Sequence, residues 1–175
     1  MELTNPLAQI LCALEDRIAE IEDIRMIDRY AGQDTYELRP AVSTPAVLVD
    51  VEEVEYDEIG CGSQYARATL TVRLYVANYA GACQTAPQEA RMNAMRDLTL
   101  ERALVECLHG WAPTDEDGQE WAEPLIRTGS AAENRNEIGL QVRLLRFTTA
   151  WEERVSPRQR TGVQPRIETK KGRIR

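Results

Sequence analysis

The segment from Ala66 to Tyr79 constrains the fold more than any other stretch of the chain. Ala66, Ala68, Leu70, Val72, Leu74 and Val76 share one parity, and Arg67, Thr69, Thr71, Arg73, Tyr75 and Tyr79 share the other. A period of two held over this many residues specifies a long β-strand and excludes a helix. One face of that strand is apolar enough to be dry, while the other mixes charge with aromatic rings. That division fits a sheet covered by helices on one side only. The mixed face, with Arg73, Tyr75 and Tyr79, is expected to stay exposed and to bury surface by association.

The covering helices are legible on either side of this strand. Leu7, Ile10, Leu11, Leu14, Ile18 and Ile21 recur at helical spacing, with Thr4 or Asn5 placed to cap and Pro6 in the first turn. A second helix is predicted from Pro87 to about Leu108, on the spacing of Leu100, Ala103, Leu104, Cys107 and Leu108, with Gly110 as its stop. Further strands are predicted at Ile24–Tyr30, at Pro45–Val51 with alternation fading towards Val54, at Leu125–Ala132, and from Ile138 to Trp151. Asp57–Ser63, with Gly60 and Gly62, reads as a hairpin loop. In the last strand the apolar parity changes between Leu144 and Leu145, which calls for a β-bulge or a change of burial partner. The fold class is therefore α+β: an antiparallel or mixed sheet of about four to five strands with two main helices packed on one face. Leu14, Ile18, Leu70, Val72, Leu74, Leu104 and Leu108 are its expected core.

Charge divides the chain in two. The net charge is −8, yet residues 154–175 hold eight Arg or Lys against Glu168 alone, a net of +7. Residues 1–153 therefore carry −15. Such an acidic body repels nucleic acid, whereas the tail suits an acidic protein surface. The tail holds Pro157, Gly162, Pro165 and Gly172 and few large apolar residues, so it is expected to be a flexible arm. Its Arg158, Arg160, Arg166, Lys170, Lys171, Arg173 and Arg175 are candidate partner contacts. Uncharged apolar runs such as Pro45–Val49 are too short to span a bilayer, and the first residues lack a signal-peptide pattern. A chain that folds in a cytoplasm is the expectation.

Catalytic chemistry finds little to work with. Cys12, Cys61, Cys83 and Cys107 are widely spaced, with no Cys-x-x-Cys, and His109 is the sole histidine. That argues against a zinc site or a disulfide framework, and Cys12 and Cys107 read as small core hydrophobes. Gly60-Cys61-Gly62 begins a dinucleotide loop, but Tyr65 stands where it should end and no helix follows. Ser63 and Ser130 lack a nucleophile elbow. Aligning Gly118 with a calcium loop places Pro113 and Pro124 at its outer ligand positions, so Asp115–Glu120 reads as a solvated acidic loop. No catalytic residue, metal or organic cofactor is expected, and the chain is not read as an enzyme.

The order of elements carries a resemblance. An N-terminal amphipathic helix and a short strand precede Pro45-Ala46-Val47-Leu48-Val49 and the long strand Thr69-Leu70-Thr71-Val72-Arg73-Leu74-Tyr75-Val76-Ala77-Asn78. A helix follows, with Arg91-Met92-Asn93-Ala94 near its start and Leu108-His109-Gly110-Trp111 at its end, then a last strand closing in Ala150-Trp151-Glu152-Glu153. Over residues 5–153 this resembles the minor tail proteins of tailed bacteriophages, specifically the tail terminator (tail completion) family, Mu-like branch included. The resemblance implies a tail-terminator-like α/β domain over residues 1–153, followed by the basic arm of 154–175. It implies a homo-hexameric ring at the head-proximal end of a phage tail, which caps the tube, stops its polymerisation and meets the head–tail connector. Its partners would be copies of itself, the tail tube protein and the connector, with DNA passing through the lumen without specific binding and no membrane contact. Another head–tail joining component, the cap of a phage-like contractile injection machine, or a small adaptor or enzyme of unknown chemistry are the alternatives.

Overall fold

The computed structural model describes residues 5–33, 42–77, 83–135 and 140–155. In chain order the elements are α1 (Pro6–Ile18), β1 (Met26–Arg29), β2 (Ala46–Gly60), β3 (Ser63–Ala77), α2 (Gln88–Ala94), α3 (Arg96–Leu108), β4 (Ile126–Arg135) and β5 (Leu140–Arg154). The strands form one sheet in the order β1-β2-β3-β5-β4. All neighbours run antiparallel except β1 and β2, so the sheet is mixed and the fold is α+β.

Local chemistry accounts for the two main helices. The Asn5 side chain accepts hydrogen bonds from the N–H groups of Leu7 (2.9 Å) and Ala8 (3.4 Å), satisfying donors that the first turn of α1 leaves orphaned. α1 buries Ile10, Leu11, Leu14 and Ile18, and α3 buries Leu100, Leu104, Val105 and Leu108. Both stripes meet the even-numbered residues of β3 together with Leu145, Phe147 and Trp151 of β5. The seven residues expected in the core are all buried to within 1%. Gly110, at φ 82°, follows the end of α3, and its N–H donates to the Leu125 carbonyl at 2.8 Å.

Three sequence expectations need correction, and a fourth offered two alternatives of which the structure takes one. The helix predicted from Pro87 to Leu108 is two helices. At Met95 the backbone leaves the helical region (φ −104°, ψ 13°), with no Gly or Pro to announce it. Cys12 is exposed on α1 rather than part of the core, although Cys107 is half-buried and its thiol donates to the Arg17 carbonyl at 3.3 Å. The hairpin loop placed at Asp57–Ser63 shrinks to a tight turn at Cys61 and Gly62, because β2 continues to Gly60. The parity change at Leu144/Leu145 is no bulge, since the β3–β5 register runs unbroken from Ser63↔Arg154 to Ala77↔Leu140. It is a change of burial partner, with Val142 buried and Leu140 and Leu144 packed against a small cluster on the face opposite α1 and α3. The bulges lie between Val51 and Glu53, between Glu58 and Gly60, and between Arg127 and Gly129.

Strand length shapes the molecule. β2, β3 and β5 each have 15 residues and reach ~50 Å, whereas the 13 residues of α1 or α3 span only ~20 Å. The turn end of the β2–β3 hairpin accordingly projects, and every residue from Glu55 to Cys61 is exposed. Among the described residues no helix is long and apolar enough to cross a membrane.

Candidate assembly interface

The face of the sheet opposite α1 and α3 carries the residues the sequence nominated, but it does not expose them as expected. Tyr75 is 0% exposed and packs with Ala46, Leu48 and Val142, beside Met26, Tyr30 and Leu144. It has no surface to offer a partner. Arg73 is largely covered. Its guanidinium lies 4.4 Å from the centre of the Tyr30 ring and 3.4 Å from a Glu133 carboxylate oxygen. The second face thus has a small core of its own, which alternation on β3 alone could not reveal. Tyr79 and the seven basic residues from Arg158 to Arg175 lie outside the described residues.

Further along the same face, charge replaces apolar packing. β2 carries Asp50, Glu52, Glu53, Glu55 and Asp57 there, with Glu58 on the other face opposite Gln64. Its neighbours answer with cations. Arg67 on β3 bonds Asp57 and lies 3.8 Å from Glu55, and Arg146 on β5 reaches Glu52 at 3.0 and 3.3 Å. Thr71 donates to the same Glu52 at 3.1 Å. Nearby, the Tyr65 hydroxyl donates to Glu123 at 2.5 Å, a bond that raises the phenol's pKa above its ordinary value. Tyr65, Arg67, Thr69, Thr148 and Ile126 line a groove of about 350 Å³. These cross-strand pairs hold an acidic edge in register and keep it from pairing with another bare strand.

On the opposite face a buried network ties α3 to the sheet. Arg143 and Ser130 each donate to the Glu101 carboxylate at 2.5 Å. Burial pushes Glu101 up, but the Arg143 and Ser130 bonds outweigh it and hold the carboxyl below its ordinary value. At the end of α3, His109 accepts from the Arg127 N–H at 3.1 Å through Nδ1, which pins the start of β4. The Asp115 carboxylate accepts from the N–H groups of Asp117 and Gln119, so the acidic loop folds on itself. Among the described residues, no group of three His, Cys, Asp or Glu is placed to hold a metal ion.

Two exposed apolar clusters escaped sequence reasoning. At the turn end of the β2–β3 hairpin, Tyr56, Ile59 and Val155 are about half exposed, and Tyr56 and Val155 line one cleft beside Pro6. The signal for Tyr56 and Ile59 in the sequence was faint: single apolar letters inside an acidic run. The second cluster is Met92, Met95 and Leu98, across the break between α2 and α3. Their spacing of three was visible, on a face other than that of Leu100, Leu104 and Leu108.

No protein-family model and no curated protein sequence matches the chain. Among solved structures, it is similar to a chain from the virion of a native gene transfer agent (GTA) particle. The two share 12% identity with a TM-score of 0.50, over 86% of this chain and 99% of that one. At that identity the likeness establishes a shared fold.

Proposed function

We propose that this protein is a structural component of a phage-like virion, and specifically a tail terminator that assembles as a ring at the head-proximal end of the tail. The observation that carries the reading is the shared fold with a virion chain, matched along nearly that chain's whole length. It adds to the resemblance of the element order to the tail terminator family. Self-association is further supported by the two exposed apolar clusters, which a monomer has no use for. In this reading the protein has no catalytic task. The acidic body lets DNA pass without adhering, since like charges repel. A second reading, a head–tail joining component of the same fold, rests on the same likeness, because likeness to a virion chain fixes no position within the particle.

The test is growth of tail tubes from the cognate tube protein with this protein added. The terminator reading expects tubes that stop lengthening and carry a ring at one end by negative-stain microscopy. Tubes of unchanged length, with rings bound to the connector instead, would favour the joining reading. A chain that binds neither tube nor connector would remove both.

A further inference from the structure

β5 delivers the chain to a defined place. The Val155 N–H donates to the Gly62 carbonyl at 2.7 Å, a brace that fixes where the chain leaves the sheet. Residues 156–175 follow in the sequence and lie outside the described residues; they hold seven Arg or Lys against Glu168 alone. We propose that this basic segment folds back on its own copy and seats in a carboxylate-rimmed trough beside the end of β5. The proposal does not depend on the ring reading.

The trough is two adjoining clefts. One, of about 350 Å³, lies on the face opposite α1 and α3, between Glu53 and Glu55 of β2 and Ile126 of β4. The other, of about 470 Å³, runs past Trp121 to Glu152, and the two share Tyr65, Glu123, Pro124 and Ala150. A further cleft, lined in part by Arg154 and Val155 themselves, meets the second at Trp121 and Glu152. The chain thus leaves the sheet at one end of the trough.

Charge, surface and reach select the occupant. Glu53, Glu55, Glu120, Glu123 and Glu152 line the two clefts against Arg67 alone, a net of −4. Of these acids only Glu55 has an ion pair among the described residues, 3.8 Å from an Arg67 that it shares with Asp57. Such a rim attracts a cationic segment and repels nucleic acid. Trp121 and Tyr65 add aromatic rings, which guanidinium groups favour; Arg67 already lies 5.9 Å from the centre of the Tyr65 ring. Ile126, 49% exposed, gives the trough an apolar spot that Val163 or Ile167 of the segment is suited to cover. Thr148, at the far end, lies seven residues back along β5 from Val155, a distance of ~23 Å. A segment the length of 156–175 reaches up to ~65 Å, and Pro157 and Gly162 are residue types that suit a reversal. Tethering supplies an effective concentration of about millimolar, an advantage that no separate basic protein has.

The test couples amines to carboxylates in the full-length chain with a carbodiimide and maps the links by mass spectrometry. Lys170 and Lys171 are the only lysines in the chain, so every side-chain link starts in the segment. Links are expected at the five trough carboxylates, within one copy when light and heavy isotope-labelled chains are mixed, and should fade at about 1 M salt. Glu53, Glu120 and Glu152 are exposed and make no side-chain hydrogen bond or ion pair among the described residues, so replacing them leaves the fold intact. Glu53→Gln, Glu120→Gln and Glu152→Gln together should lower the yield of links at Glu55 and Glu123 by about threefold or more. An unchanged yield in that variant would overturn the proposal. So would links confined to Glu168, or spread over acids away from the trough such as Glu22 and Asp23. Links that join light to heavy chains would place the segment on a neighbouring copy and overturn the fold-back. Each of these results leaves the ring reading to its own test.

Discussion

Leu104 and Leu98 lie on one helix, six residues apart, and the structure assigns them opposite fates. Leu104 is fully buried between α3 and the sheet, while Leu98 is 49% exposed. Truncating Leu104 to Ala removes three carbons from water-free surroundings, about 2.4 kcal/mol at ~0.8 kcal/mol per group. The neighbours close only part of the space, and a residual cavity of ~50–100 Å³ adds about 1.2–2.4 kcal/mol. Leu104→Ala should therefore cost about 3.5–5 kcal/mol. Leu98→Ala should cost under about 0.5 kcal/mol, since it buries little and alanine is the better helix former. Urea unfolding followed by circular dichroism gives both values, run dilute enough that wild type and variants sediment as the same species. At this chain length the larger loss corresponds to a fall in Tm of roughly 7–20 °C. A loss below 0.5 kcal/mol for Leu104→Ala, or equal losses for the two variants, would mean that α3 presents a different face to the sheet.

The Glu101 network predicts a pH dependence. Its folded pKa is depressed, so its stabilisation is fully present above the ordinary carboxylate value and is lost as pH falls through the folded value. Wild type should lose stability below about pH 4.5 more steeply than Glu101→Gln, and Glu101→Ala should cost about 2–4 kcal/mol at pH 7; parallel pH profiles would refute the assignment. Gly62 has φ +81°, and a Cβ there would lie 2.8 Å from the Val155 carbonyl oxygen, whereas Gly118 has φ +77° and open space. Gly62→Ala should thus cost about 1–2 kcal/mol more than Gly118→Ala and speed hydrogen exchange at the Val155 N–H; equal costs would show that the brace is unimportant. Chelator should leave the Tm unchanged, and a large drop reversed by one metal would point back to the Asp115–Glu120 loop.

Periodicity disclosed the core because burial on one side is a local property of each element. The stripes of α1 and α3 and the even residues of β3 each announced an inward face, and those faces meet. What lies on the other side of a sheet is not local. Tyr75 has the same parity as Arg67, yet one is buried and the other exposed, because Ala46, Leu48 and Val142 pack over the first, whereas the second meets the carboxylates of Glu55 and Asp57 and the Tyr65 ring. Nothing in the alternation of β3 distinguishes them. The break at Met95 was hidden for a related reason. A helix that ends without Gly or Pro leaves no residue to mark it, so the exposed cluster across the break read as ordinary helix surface.

The length of β2 shows the same principle from the opposite side. A run of six acids within nine residues has low strand propensity, and on its own it reads as a loop. It is a strand because β3 holds it: the pairing runs with two bulges from Ala46↔Tyr75 to Gly60↔Ser63, and Arg67 and Arg146 neutralise the side chains that crowd its edge. That acidity also decides what the hairpin can do. Fringed by carboxylates, β2 is a poor template for another strand, so uncontrolled sheet extension is disfavoured. The apolar residues the hairpin still exposes are Tyr56 and Ile59 at its turn end, with Val155 beside them. The acidic side keeps the hairpin from pairing edge to edge, and its turn end is left as the part with apolar surface still to bury.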